Sequence, residues 1–172
     1  MWKIFSKNLP VGVDIGDSSI EILALDARGE IVACGRAELE EGVVEDGRIL
    51  DKNKLAGRLN QILDGMKPRP SRAVFSLPES RVFIHYFRLP RVLKGEALKQ
   101  RVFEEASKII PLDPKRASWD FTTFPFKDYS GVFYAGVPKD VVGGLVDVAH
   151  AARLEVSAVE PESLSLARAL IE

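Results

Sequence analysis

The chain has 172 residues, which suits one domain or two small domains that share an interface. Hydrophobic residues make up 46% of the chain and charged residues 28%, values that are ordinary for a globular protein. The 24 basic and 25 acidic residues leave a net charge of −1 without a basic stripe, which argues against a nucleic-acid-binding protein.

Cysteine content and the length of the apolar runs predict a cytoplasmic protein. Cys34 is the single cysteine and cannot form an internal disulfide. It lies in an alternating apolar run, which predicts a small buried side chain in a reducing compartment. No apolar run reaches the ~18 residues that a membrane-spanning helix needs. Residues 1–7 are too few for a secretory signal.

The first half of the chain predicts a meander of antiparallel strands followed by a helix and two more strands. Residues 40–48 are acidic and contain glycine, which predicts a loop. Asp51 is placed to cap the helix, in which Leu55, Leu59, Ile62 and Met66 fall on one face. The predicted strands cover residues 11–15, 20–25, 31–39, 73–78 and 82–89.

The composition changes near Pro90, where residues 90–95 resemble a linker. The pattern beyond predicts a helix, two aromatic strands, a second helix, a strand and a last helix. Their ranges are 96–110, 119–126, 131–137, 140–153, 156–159 and 162–171. Strands and helices interleave without strict alternation, so the fold class is mixed α/β (α+β) with a smaller subdomain from about residue 90.

The turn after the first strand carries residue types that suit nucleotide phosphates. A tight turn with a glycine can present backbone N–H groups to an anion, and serine hydroxyls add donors. A carboxylate at the strand end can hold Mg²⁺ or its water, which then bridges to phosphate. The residues are Asp14, Gly16, Asp17, Ser18 and Ser19. The same residue types also form ordinary hairpin turns, so both interpretations stay open on chemistry alone.

No other group of residues indicates catalysis. A Gly-Lys-Ser/Thr phosphate loop, a dinucleotide fingerprint and a Gly-x-Ser-x-Gly elbow are all missing from the sequence. His85 and His150 have no metal-ligand spacing around them, and Glu104 and Glu105 are more typical of a solvated helix face. We therefore assign no catalytic residue.

Four segments in order resemble the PilM family of type IV pilus assembly proteins. The run VGVDIGDSS at residues 11–19 is similar to the first phosphate loop of the actin and FtsA superfamily. Three later segments are similar to PilM itself. They are FRLP with EAL at 87–98, EEASKIIPL leading to WDF at 104–121, and ARL through VEPESLSLARAL at 152–170.

The resemblance implies an actin-like (ribonuclease H-like) first lobe with an inserted FtsA-type small α/β subdomain. The core would comprise residues 9–89 with 155–172, and the insertion residues 90–154. Asp14, Gly16, Asp17, Ser18 and Ser19 would contact the nucleotide, and Asp14 would hold Mg²⁺ through water. ATP and Mg²⁺ would then be ligands of the full-length family, although this half of the site would bind them weakly.

The resemblance also implies a scaffold that grips the cytoplasmic tail of a PilN-like inner-membrane protein. Such a protein would be cytoplasmic and would reach the inner membrane only through its partner. The residues that line the partner groove cannot be assigned, and self-association stays open. The chain has about half the length of such ATPases, so it is either an excised lobe or a natural half-length relative, and its end on a helix favours the excised lobe. We expect no hydrolysis in this form and a weak ATPase at most in a full-length protein.

Two alternatives of other types remain from the sequence. One is the related cytoplasmic scaffold of type II secretion, of the GspL kind, which a downstream transmembrane helix would indicate. The other is a nucleotide-dependent enzyme of the same superfamily, similar to a sugar kinase, which would need a second lobe and a catalytic carboxylate facing the phosphate.

Overall fold

The computed structural model describes residues 9–91 and 93–170, which form two compact units. The first unit runs through Ser80 and resumes at Val141, and the second comprises Arg81–Asp140. The predicted division placed residues 81–89 in the core and 141–154 in the insertion. The second unit begins at Arg81 and not near residue 90, because residues 83–90 pair with a strand of that unit. It ends at Asp140 and not at residue 154. The assignment of the units as an actin-like core and an FtsA-type insertion stays a prediction.

The first unit contains seven strands and three helices among its described residues. They are β1 (Val11–Ile15), β2 (Ser19–Leu25), β3 (Ile31–Glu38), β4 (Val44–Glu45), β5 (Arg48–Ile49), α1 (Lys52–Gly65), β6 (Arg72–Leu77), α3 (Lys139–Ala151, whose first two residues belong to the second unit), β10 (Glu155–Pro161) and α4 (Glu162–Leu170). The second unit contains β7 (Phe83–Pro90), α2 (Gly95–Ile109), β8 (Ala117–Pro125) and β9 (Tyr129–Pro138).

A five-stranded sheet of order β10-β6-β1-β2-β3 forms the frame of the first unit. The strands β1, β2 and β3 are the predicted antiparallel meander. Strands β6 and β10 join the other side of β1, and each is parallel to its neighbour. Because carboxyl ends of parallel strands meet at one edge, the ends of β1, β6 and β10 lie together there.

The core of the first unit lies between this sheet and α1. Val11, Val13 and Ile15 of β1 are buried, while the residues between them are exposed, as a strand period of two requires. Helix α1 begins after Asp51, whose carboxylate accepts a hydrogen bond from the N–H of Lys54 at 2.9 Å. Its Leu55, Leu59 and Leu63 follow the helical period and are fully buried.

The second unit is a three-stranded antiparallel sheet, of order β7-β9-β8, with α2 on one face. Its core contains Leu89, Val132 and Tyr134 from the strands and Val102 and Ala106 from the helix. The aromatic side chains of this sheet are divided between its two faces. Trp119 and Phe121 pack against that core, whereas Tyr86, Phe124 and Phe126 stay exposed.

Two local predictions were wrong. Residues 40–48 are not all loop, because β4 and β5 pair as a hairpin whose turn residues Asp46 and Gly47 have φ of 47° and 69°. An Asp-Gly pair favours this left-handed two-residue turn. Cys34 is exposed and not buried, because it alternates with Gly35 and points away from α1 on the outermost strand of the sheet.

The close approach of α1 to β3 depends on Gly35, where an added Cβ would overlap Ile62 Cγ2. That methyl is fixed to a β-branched carbon and cannot swing aside. We expect Gly35→Ala to lower the free energy of unfolding by about 1–3 kcal/mol, measured by urea denaturation.

The matched control is Gly57→Ala, on the exposed side of α1, where an added Cβ meets nothing within 4 Å. Alanine is the better helix former, so this variant should gain about 0.5–1 kcal/mol. Equal stabilities for the two variants would show that α1 does not press on β3 at Gly35.

Candidate functional site

The predicted phosphate turn joins β1 to β2 at the edge of the sheet. The N–H of Gly16 donates to the carbonyl oxygen of Ser19 at 2.9 Å, so Asp17 and Ser18 form the tip. Asp14, Gly16, Asp17 and Ser18 are exposed, whereas Ser19 is buried with 8% of its surface accessible. A ligand at this edge would therefore meet the tip of the turn and the side chain of Asp14.

Asp17 holds the turn against the neighbouring hairpin. Its carboxylate accepts the N–H of Asp46 at 2.8 Å and the N–H of Gly47 at 2.9 Å, one on each oxygen. The carbonyl oxygen of Ser18 accepts the N–H of Leu39 at 2.8 Å, which fixes the other side of the tip. Hydrogen bonds to a carboxylate are among the stronger ones in proteins, so the turn is held in one shape.

Ser19 differs from its neighbour Ser18 in its surroundings. Its hydroxyl donates to Glu21 Oε1 at 2.8 Å, within the protein. Ser18 is exposed at the tip. The five predicted residues thus differ in their surroundings. Asp17 and Ser19 have side chains engaged by the protein, and Gly16 and Ser18 face solvent. The side chain of Asp14 is exposed and also has a partner within the protein.

Three carboxyl groups gather at the carboxyl ends of the parallel strands. Asp14 at the end of β1 accepts a hydrogen bond from the hydroxyl of Ser76 at the end of β6. Glu79 accepts the N–H of Ser163, in the first turn of α4, at 2.9 Å. Glu162 begins α4, and its pKa is raised by burial, then by the negative charges of Asp14 and Glu79.

This arrangement repels a bare phosphate and favours a cation or its bound water between the carboxylates and the ligand. No group of three or more His, Cys, Asp or Glu side chains within residues 9–91 and 93–170 is arranged to hold a metal ion. Asp14 offers a single carboxylate, which fits a Mg²⁺ ion that keeps most of its waters.

The sequence analysis missed Ser76, Glu79 and Glu162. Each lies at or just after the end of a strand that runs parallel to β1, or at the start of the helix that follows such a strand. The sequence carried a signal for these residues, because a strand over residues 73–78 and a helix starting at Glu162 were both predicted. What the sequence did not supply was the parallel pairing that brings them to Asp14.

The family is identified by a match that covers most of the chain. Residues 12–172 match the model of the family described as type IV pilus assembly protein PilM. The chain belongs to the PilM family. The resemblance to this family that the sequence indicated is confirmed. No curated protein matches the chain. Within the described residues, no helix is long and apolar enough to cross a membrane.

Solved structures share the fold at low sequence identity. A chain of a PilM–PilN type IV pilus biogenesis complex is 18% identical with a TM-score of 0.86, covering 94% of this chain and 49% of that one. The cytoplasmic domain of EpsL, an inner membrane component of the type II secretion system of Vibrio cholerae, is 16% identical with a TM-score of 0.63, covering 90% and 58%.

A third similar structure is the ethanolamine utilization protein EutJ from Carboxydothermus hydrogenoformans. It is 16% identical with a TM-score of 0.52, and the match covers 95% of this chain and 40% of that one. These likenesses confirm the predicted mixed α/β, actin-like fold. The chain spans about half the length of the chain that it matches in the PilM–PilN complex, with 49% of that chain covered.

The raised pKa of Glu162 predicts how stability depends on pH. A carboxyl group whose pKa is higher in the folded state stabilises the fold fully below its ordinary value of 4.5. That contribution is lost as the pH rises through the raised pKa, because Glu162 then ionises beside Asp14 and Glu79. Glu162→Gln should therefore melt higher than the parent at pH 7, and the two should converge at pH 4.

Thermal melts between pH 4 and pH 8 measure this difference, and Glu41→Gln serves as the control because Glu41 is an exposed glutamate. The interpretation fails if Glu162→Gln and Glu41→Gln shift the melting temperature by the same amount at every pH.

Proposed function

We propose that this chain is the first lobe of a type IV pilus assembly scaffold and that it binds the cytoplasmic tail of a PilN-like inner-membrane protein. The match of residues 12–172 to the PilM family carries the proposal. The fold likeness to a protein solved as a PilM–PilN complex supports the partner, with a TM-score of 0.86. In this proposal the protein stays on the cytoplasmic side and reaches the inner membrane through the tail that it holds.

ATP with Mg²⁺ is the proposed regulatory ligand of the complete protein, and Asp14, Gly16 and Ser18 are its proposed direct contacts. They face solvent at the carboxyl ends of the parallel strands. Asp17 and Ser19 would act by shaping the turn, because their side chains already hold Asp46, Gly47 and Glu21. Mg²⁺ would sit at Asp14 through water and offset the charge between the carboxylates and the phosphates.

The chain by itself would be a poor ATPase. Hydrolysis requires a nucleotide and an attacking water to be positioned from both sides of a cleft. The similar PilM chain has about half its length outside the match, with 49% covered. We therefore propose weak nucleotide binding through one wall and no catalytic residue within this chain.

The proposed architecture of the complete lobe keeps residues 9–89 with 155–172 as the actin-like core and 90–154 as the FtsA-type insertion. The separate sheets of the two units support a division into two parts, although β7 lies in the sheet of the second unit. A scaffold of type II secretion is the second candidate, favoured by the fold likeness to EpsL, whose TM-score of 0.63 is lower than that of the PilM chain. A kinase-like enzyme has no supporting observation among the described residues.

The partner is tested with a synthetic peptide of the N-terminal tail of a PilN-like protein from the same organism. Isothermal titration should give saturable binding in the micromolar range, as an extended peptide in a preformed groove commonly does. A peptide with the same residues in scrambled order is the control.

Two other outcomes decide against the proposal. If circular dichroism shows an intact fold and neither peptide binds at 1 mM (about the weakest affinity of interest), the tail is not the ligand. If the cytoplasmic tail of a type II secretion component binds and the PilN-like tail does not, the EpsL-like candidate replaces it.

The nucleotide site is tested by nuclear magnetic resonance titration of the chain with ATP. With Mg²⁺ present, millimolar ATP should shift the amide signals of Gly16, Asp17 and Ser18, and a chelator or Asp14→Asn should reduce the shift. Phosphate release should stay at the level of the blank. If the amide signals of residues 14–19 do not shift, the nucleotide site lies elsewhere. The same conclusion follows if the shifts are unchanged without Mg²⁺ or in Asp14→Asn.

A further inference from the structure

Ser76 lies near the end of β6, beside Asp14 on β1. The parallel register pairs Val13 with Phe75, so Asp14 and Ser76 are the next two residues along it. Successive side chains of a strand point to opposite faces, so two residues in register share a face of the sheet. The hydroxyl of Ser76 therefore lies on the same face as the exposed carboxylate of Asp14.

The hydroxyl of Ser76 has one proton and two acceptors within reach. One is Asp14 Oδ1, and the other is the carbonyl oxygen of Val13 at 3.4 Å. The distance to Val13 is long for an O–H donor. A hydrogen bond to an ionised carboxylate is shorter and about twice as strong as one between neutral groups. The proton is therefore donated to Asp14.

A second carboxylate, that of Glu160, is the neighbour of Ser76 on β10. Both of its oxygens have partners of their own. The hydroxyl of Ser165 donates to Oε1 at 2.8 Å, and Arg168 donates to Oε2 at 2.6 Å. Because the guanidinium also offsets the charge of Glu160, this carboxylate competes little for the proton of Ser76, which remains with Asp14.

The negative surroundings of Asp14 make this one donor important. Glu162 is close enough to be affected by the charges of Asp14 and Glu79, so three carboxyl groups repel one another here. Repulsion favours rotamers that carry an exposed carboxylate away from its neighbours. The hydrogen bond from Ser76, which is fixed within a strand, opposes that rotation and keeps Asp14 over the end of β6.

A carboxylate that is held by one oxygen keeps acceptor capacity for a second donor. An ionised carboxylate has about four lone-pair sites on its two oxygens, and Ser76 occupies one of them at Oδ1 of Asp14. The side chain of Asp14 is exposed, so its Oδ2 can accept from water. Because Mg²⁺ usually keeps several of its waters, an acceptor fixed in this position can hold the hydrated ion.

We propose that Ser76 is a positioning residue of the nucleotide site, because its hydroxyl holds Asp14 Oδ1 and leaves Oδ2 to accept from the water shell of Mg²⁺. Ser76 itself contacts neither the metal ion nor the nucleotide. This role rests on the proposed function, since it requires ATP with Mg²⁺ to bind at the turn. Its signature is a dependence on metal, because without Mg²⁺ the orientation of Asp14 does not affect nucleotide binding.

The first test needs no ligand. Three-bond couplings from the backbone to the carboxyl carbon of Asp14, measured by nuclear magnetic resonance on the whole chain, show whether χ1 stays in one rotamer. We expect one rotamer in the parent and averaging in Ser76→Ala. Ser76→Thr keeps a hydroxyl and should restore the parent couplings. Ser118→Ala, which removes a half-buried strand serine of the second unit, is the control.

The second test is the affinity for ATP with and without Mg²⁺, measured from the amide shifts of Gly16 and Ser18. With Mg²⁺, Ser76→Ala should weaken binding about fivefold, the effect of one lost hydrogen bond, while Ser76→Thr and Ser118→Ala stay close to the parent. With EDTA in place of Mg²⁺, Ser76→Ala and the parent should bind ATP equally. A purely structural role of Ser76 would lower the affinity by the same factor under both conditions.

Three results would overturn the role of Ser76 while the proposed function stands. They are equal Asp14 couplings in the parent and Ser76→Ala, equal affinities of these two proteins for ATP with Mg²⁺, and an equal loss in Ser76→Ala with and without Mg²⁺. If ATP with Mg²⁺ shifts no signal of the turn in the parent, the proposed nucleotide site is wrong and this role is wrong with it. Circular dichroism confirms that each variant is folded.

Discussion

The parallel pairing of β1 with β6, and of β6 with β10, is the constraint on which the first unit depends. It joins segments separated by more than sixty residues of sequence and aligns their carboxyl ends at one edge. Asp14, Ser76, Glu79 and Glu162 approach one another for this reason alone. Without β6 in that position, the turn after β1 would be a hairpin connection in which Asp14 lacks its neighbours from β6 and α4.

Local features of the fold could be predicted from the sequence because short-range physics determines them. Asp51 caps α1 as expected, and the apolar periods of two and 3.6 residues located the main strands and helices. The Asp46-Gly47 hairpin carried a local signal too, but the acidic composition around it favoured a loop. Cys34 was misplaced because alternation shows which residues share a face, and it does not show whether that face is covered.

Long-range features could not be predicted from the sequence, because they depend on residues that are far apart along the chain. The raised pKa of Glu162 arises from its burial and from Asp14 and Glu79, which lie far from it along the chain. The double contact of Asp17 with Asp46 and Gly47 likewise crosses about thirty residues. Residue types alone grouped Asp14, Gly16, Asp17, Ser18 and Ser19 as equal candidates. Their surroundings separate the residues that face solvent from those that hold the turn.

The two hydrogen bonds between Asp17 and the β4–β5 hairpin affect the affinity of the turn for any anion that binds there. A loop that orders only on binding loses conformational entropy at that moment, which subtracts from the affinity. Here the two bonds from Asp46 and Gly47 have already fixed the tip before a ligand arrives. The turn is preorganised, so an anion that binds it would not bear the entropic cost of ordering the loop.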